Sequence, residues 1–128
     1  MPGATYFYDS YNAKADGLNL IADPGASGVI HPIFDDGLCY LTLSNSTRLL
    51  GKDLGTGVCS AGNVPDGLRV TLYAKSGSGS VEITFSNGFN DAGNNDITFN
   101  STGDWAMFMA VNGSWILIAQ SGCTLQTL

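Results

Sequence analysis

Between Ile97 and Gln120 the chain reads ITFNSTGDWAMFMAVNGSWILIAQ, and this stretch limits the possible folds more than any other. Two apolar runs, Trp105–Val111 and Trp115–Ala119, meet across Asn112-Gly113-Ser114. Asn-Gly between apolar runs signals a β-hairpin, because both residues tolerate the positive φ of a type I′ turn. The arms do not alternate between apolar and polar. Trp105, Met107, Met109 and Val111 fall on one face, with Ala106, Phe108 and Ala110 on the other. In the second arm Trp115, Leu117 and Ala119 oppose Ile116 and Ile118. A hairpin with one face in water should alternate. This one needs cover on both faces, from its own domain, from a partner chain, or from both.

The remaining runs are short and β-like. Asp-Gly-Leu recurs at Asp16-Gly17-Leu18, Asp36-Gly37-Leu38 and Asp66-Gly67-Leu68, each time ahead of an apolar run. Asp-Gly supplies turn geometry and the leucine starts a buried face. Strands are expected in Leu18–Ala22, Val29–Phe34, Leu38–Leu43, Leu68–Lys75, Val81–Phe85 and Ile97–Phe99, with a weaker element in Arg48–Leu54. Pro32 restricts its run to an edge or a bulge. Ser76–Ser80 reads as a flexible connection. Gly or Pro interrupts nearly every window long enough for a helix, and β-branched and aromatic residues fill the runs. The expectation is an all-β, single-domain antiparallel β-sandwich or barrel of eight to ten strands, spanning residues 17–128, with a C-terminal β-hairpin. Residues 1–16 carry Tyr6, Phe7, Tyr8 and Tyr11 with little else apolar. They read either as an extended N-terminal arm laying aromatic anchors on a neighbour, or as an edge strand of the chain's own sheet.

Composition excludes several function classes. With 128 residues and 44% hydrophobic content the chain can bury a core, so disorder is excluded. Net charge is −6, and the five basic residues, Lys14, Arg48, Lys52, Arg69 and Lys75, are scattered. A nucleic-acid groove needs them clustered, and an anionic membrane surface is disfavoured for the same reason. No basic segment or long apolar run opens the chain, and synthesis in a reducing cytosol is expected. Cys39, Cys59 and Cys123 are odd in number and far apart, which favours free thiols, with one bridge possible.

Catalytic patterns do not assemble. His31 is the sole histidine, Pro32 follows it, and no G-x-S-x-G elbow is present. The cysteines lack zinc spacing, and neither Gly51-Lys52 nor Gly77-Ser78-Gly79 completes a phosphate-binding loop. Asn90–Asp96 offers oxygens to calcium, but out of EF-hand order, so a tight polar turn is the better reading. No catalytic, cofactor or metal residues are therefore expected. Trp105, Met107, Phe108, Met109 and Trp115 are of the types enriched at interface cores, and with Tyr6, Phe7, Tyr8 and Tyr11 they form the expected oligomer or partner contact.

From Leu68 to Gln120 the parts follow in a definite order: a strand (Leu68–Ala74), a Gly/Ser turn, a V-x-I-T strand (Val81–Phe85) and an Asn/Gly-rich loop. Next come Ile97-Thr98-Phe99, Gly103-Asp104, an apolar strand, Gly113, and a strand led by Trp115. This order resembles small β-rich structural proteins of tailed bacteriophages over somewhat under half of the chain. The resemblance implies a virion structural role. The chain's size then points to a capsid decoration (cement) protein: a homo-oligomer, most often a trimer, on the major capsid protein of the head surface. A tail-fibre or baseplate module is the alternative within that class. Outside it stands a carbohydrate-binding module, with Trp105, Trp115, Tyr40 or Tyr73 as stacking platforms.

Overall fold

The computed structural model describes residues 19–32, 35–53, 59–62 and 64–128, with backbone alone for Lys52, Asp53, Cys59 and Ser60. The expected arm at 1–16, with Tyr6, Phe7, Tyr8 and Tyr11, lies outside the described residues. Those residues form twelve strands and no helix: β1 (Leu20–Ile21), β2 (Gly28–Ile30), β3 (Gly37–Leu43), β4 (Ser46–Leu50), β5 (Lys52–Asp53), β6 (Cys59–Ser60), β7 (Arg69–Gly77), β8 (Val81–Thr84), β9 (Asp96–Phe99), β10 (Trp105–Val111), β11 (Ser114–Ser121) and β12 (Thr124–Gln126).

Two five-stranded sheets pack face to face, in the orders β1-β3-β7-β10-β11 and β12-β9-β8-β4-β2, and a small β5-β6 pair stands apart. Neither sheet closes, so the fold is a sandwich and not a barrel. The sheets are mixed and not antiparallel throughout. β3 runs parallel to both β1 and β7, and β4 runs parallel to both β2 and β8. The chain leaves each of these strands for the opposite sheet and returns in the same direction. Pro32 falls just after β2, which is an edge strand. A proline costs least there, since no neighbour asks for its missing N–H.

Alternation decides what enters the core. Cys39, Leu41 and Leu43 of β3, Val70, Leu72 and Ala74 of β7, and Ala106, Phe108 and Ala110 of β10 all turn inward. They meet Ile30, Leu50, Val81, Ile83, Ile97 and Phe99 from the second sheet. Phe85, Phe89 and Phe108 form an aromatic cluster with ring centroids 5.0–5.8 Å apart, edge-on or tilted. Such geometry stabilises beyond simple burial.

Two polar bridges tie the sheets together. Trp115 of β11 is 2% exposed, and its indole N–H donates to the Leu50 carbonyl of β4 at 3.0 Å. Arg48 of β4, also 2% exposed, grips Asp23 with two prongs, at 2.6 and 3.2 Å, and donates to the Thr42 carbonyl of β3 at 3.2 Å. Asp23 in turn accepts from the Thr42 and Gly25 amides.

The Ser76–Ser80 connection is held and not loose. Ser78 N–H donates to Leu43 O, the Ser44 and Ser46 amides donate to Ser80 O, and Ser80 N–H donates to the Asn45 side chain. Gly77, at φ +89°, lies so close to the Leu43 backbone that no Cβ would fit. Glycine here brings two turns into contact, which composition alone reads as flexibility.

Candidate interaction surface

The hairpin forms as its turn chemistry demands. Asn112 and Gly113 both have positive φ, 50° and 78°, and Asp66 accepts the Asn112 amide at 2.7 Å. Met107 pairs with Ala119 but Phe108 pairs with Leu117, so Ile118 is an extra residue, a bulge in β11. A bulge reverses the alternation beyond it. Trp115 and Leu117 remain inward, whereas Ala119 moves to the outward face beside Met107. That corrects its expected placement with Trp115.

The expected contact residues therefore separate. Trp105, Met107 and Met109 are half-buried on the outward face of the first sheet. Phe108 and Trp115, expected in the same contact set, belong to the interior, and no partner can reach them in this fold. Phe108 sits on the inward parity of β10, and Trp115 is fixed there by its bond to Leu50.

Register shows what surrounds the three outward residues. One cross-strand row runs Leu20, Leu38, Thr71, Met107, Ala119. The next runs Tyr40, Tyr73, Trp105, Ser121, and a shorter one Arg69, Met109, Ile116. Leu20 and the bulged Ile118 are nearly half exposed, at 46% and 48%. Tyr40 and Tyr73 meet edge-on with centroids 6.2 Å apart, and the Lys75 ammonium sits 4.3 Å over the Tyr40 ring. Leu38, Tyr40, Tyr73 and Lys75 line a shallow depression. Arg69 pairs with Asp36 at 2.9 Å near the edge of this face. Leu20, Leu38, Ile116 and Ile118 were missed as site residues. Only the strand order, with β1 and β3 beside β7, could have revealed the first two.

The outward face of the second sheet is built differently. Its outward residues are Thr47, Glu82, Thr84 and Thr98 on the central strands, Thr124 and Gln126 on the β12 edge, and Val29 and Leu49 toward the β2 edge, with Asp96 buried beneath them. One sandwich thus presents an apolar, aromatic face and, on its back, a face of hydroxyls and carboxyls.

His31 is exposed. No three described metal-ligating side chains stand together. Cys39 and Cys123 are free thiols. Burial, with the charge of Asp23 or Asp104 adding to it, pushes each up to about 12, so both stay protonated and unreactive at neutral pH. In the Asn90–Asp96 loop the side chains of Asn90, Asn94 and Asn95 bond to the loop itself and to Phe85 O, Thr127 and the Leu128 amide. Those bonds make a closed polar turn. No protein-family model matches the chain, and no curated protein matches it.

Proposed function

We propose that this chain is a virion structural protein of a tailed bacteriophage, most consistent with a capsid decoration protein that works as a homo-oligomer on the major capsid protein of the head. One observation carries the reading: a broad apolar outward face on the first sheet, opposite a polar one. Leu20, Leu38, Tyr40, Tyr73, Trp105, Met107, Met109 and Ile116 combine aromatic, methionine and aliphatic surface, the composition of interface cores. Contiguous apolar patches of this kind mark docking surfaces. The likeness of residues 68–120 to phage structural proteins supplies the setting. In that role the protein is made in the host cytosol and joins the shell surface. Binding only to the assembled shell favours that state by linkage, and joining subunits into an oligomer lets modest contacts suffice.

Met107→Glu tests this directly, because Met107 faces outward and its charge can remain in water once the contact is lost. Light scattering should show an oligomer for the parent chain and a monomer for the variant, with the thermal midpoint of the variant monomer indicating a retained fold. Occupancy on emptied heads should fall at least about tenfold, the loss of roughly 1.4 kcal/mol or more. A parent chain that stays monomeric at micromolar concentration removes the oligomer. Copies per virion distinguish the head, in hundreds, from a tail-fibre or baseplate position, in a few.

The Tyr40–Tyr73–Trp105 row favours a second reading, a carbohydrate platform. Stacked sugars would change the emission of half-buried Trp105 while leaving interior Trp115 silent. Met107 and Leu38 in the adjoining row favour a protein partner instead.

A further inference from the structure

On the back of the sandwich two carboxyls, Glu82 and Asp96, meet with no basic side chain beside them among the described residues. Asp96 is fully buried, at 0% exposure. Its Oδ1 accepts a 2.6 Å bond from the Thr84 hydroxyl, whereas its Oδ2 receives no N–H or hydroxyl donor among the described residues. Glu82 stands diagonal to it across β8 and β9, where Glu82 pairs with Thr98 and Thr84 with Asp96. The two carboxyls lie within hydrogen-bonding reach of each other. That contact, then burial, then the charge of Asp96 push the Glu82 carboxyl above its ordinary range.

No described basic side chain comes to their aid. Arg48 is bound to Asp23, Arg69 to Asp36, and Lys75 lies over Tyr40 on the opposite sheet. A buried carboxylate without a counter-charge is costly. The side chains around Glu82 are hydroxyls and one carboxamide. Glu82 and Thr98 reach into a depression of about 220 Å³ whose other walls are Asn45, Ser46, Thr47 and Ser80.

We propose that Glu82 and Asp96, with the hydroxyls of Thr84 and Thr98 beside them, bind a divalent cation of the calcium class. Hard cations take oxygen ligands only, and calcium accepts six to eight of them in loose geometry, water included. A proton shared between the carboxyls neutralises one charge and leaves the other buried. A divalent ion balances both and uses the neutral oxygens around them. With two carboxylates the affinity belongs to the weak class, with Kd of about 0.1–1 mM. The site is independent of the phage reading and lies on the opposite face from the proposed docking surface.

The test is thermal unfolding of the full chain at pH 7 in EDTA and in 10 mM calcium chloride, with sodium chloride matching ionic strength. A Kd near 1 mM raises the folding constant about tenfold at that concentration. For a domain of this size the midpoint then rises by about 5 °C. Asp96→Asn keeps the shape, removes the buried charge and should abolish the rise. Should that variant fail to fold, Glu82→Gln, whose side chain is only half-buried, should abolish it as well. A parent midpoint indifferent to calcium overturns the proposal and leaves a shared proton. So does an equal rise in sodium chloride alone, or an undiminished calcium rise in the folded variants.

Discussion

Arg48→Ala should lower stability by about 3–5 kcal/mol, the range for breaking a buried ion pair by removing one partner. Truncation strips Asp23 of both guanidinium prongs and Thr42 O of its inter-sheet donor. It also leaves a void between β4 and β3 that water must fill. Arg48→Lys should recover only part of this, because a single ammonium cannot hold Asp23, Ser46 Oγ and the Thr47 and Thr42 carbonyls together. Urea unfolding measures it as a drop in midpoint at constant slope.

The same pair contributes to the acid sensitivity of the fold. Burial alone would raise the Asp23 carboxyl, but the Arg48 bond, the Thr42 and Gly25 amides and the Arg48 charge outweigh it and hold it below the usual carboxylate range. In the unfolded chain an aspartate titrates at about 3.9. The pair's contribution is therefore complete above about pH 4 and is lost as pH falls further, through the native value. Asp23→Asn should flatten the acid limb of a stability profile while leaving neutral pH less stable.

Trp115→Ala should cost about 3–5 kcal/mol, since the indole fills the interior end of the hairpin and the remaining cavity cannot fully collapse. Trp115→Phe separates two contributions. It keeps most of the apolar volume and leaves the Leu50 carbonyl without its donor, a loss of about 1–3 kcal/mol. If packing alone held the sheets, Phe would be nearly silent. Chemical denaturation of the two variants side by side reads the difference.

The hairpin was legible because its signals are local. Asn112-Gly113 admits one kind of turn, and the runs beside it become strands by composition. The Asp36-Gly37-Leu38 and Asp66-Gly67-Leu68 openings likewise lead into β3 and β7. What escaped depends on distant neighbours. Nothing around Ile118 marks a bulge, because the slip arises from how β11 meets β10 along its length. Simple alternation consequently misplaced Ala119. The parallel pairings escaped as well, since turn residues show where a strand starts and not which strand it will join. In the sequence Arg48 is one of five scattered basic residues. Its burial follows from inward parity on β4 and from Asp23 waiting 25 residues earlier. Of the candidate surface, Trp105, Met107 and Met109 were readable from the hairpin alone. The share of β1 and β3 in that surface required the sheet order.

The parallel β3–β7 pairing has a consequence for how the chain reaches this state. Gly37 and Val70 are neighbours in the central ladder, yet the chain between them builds β4 to β6, and β4 is itself a strand of the other sheet. Neither sheet can be completed while the other is missing. The β10–β11 hairpin closes through two residues and can form early, whereas the ladder at the middle of the first sheet must wait for a long loop to close. Topologies dominated by such distant pairings fold in milliseconds to seconds. Cutting this chain between β4 and β7 should therefore yield no folded half, with the whole sandwich as the expected cooperative unit.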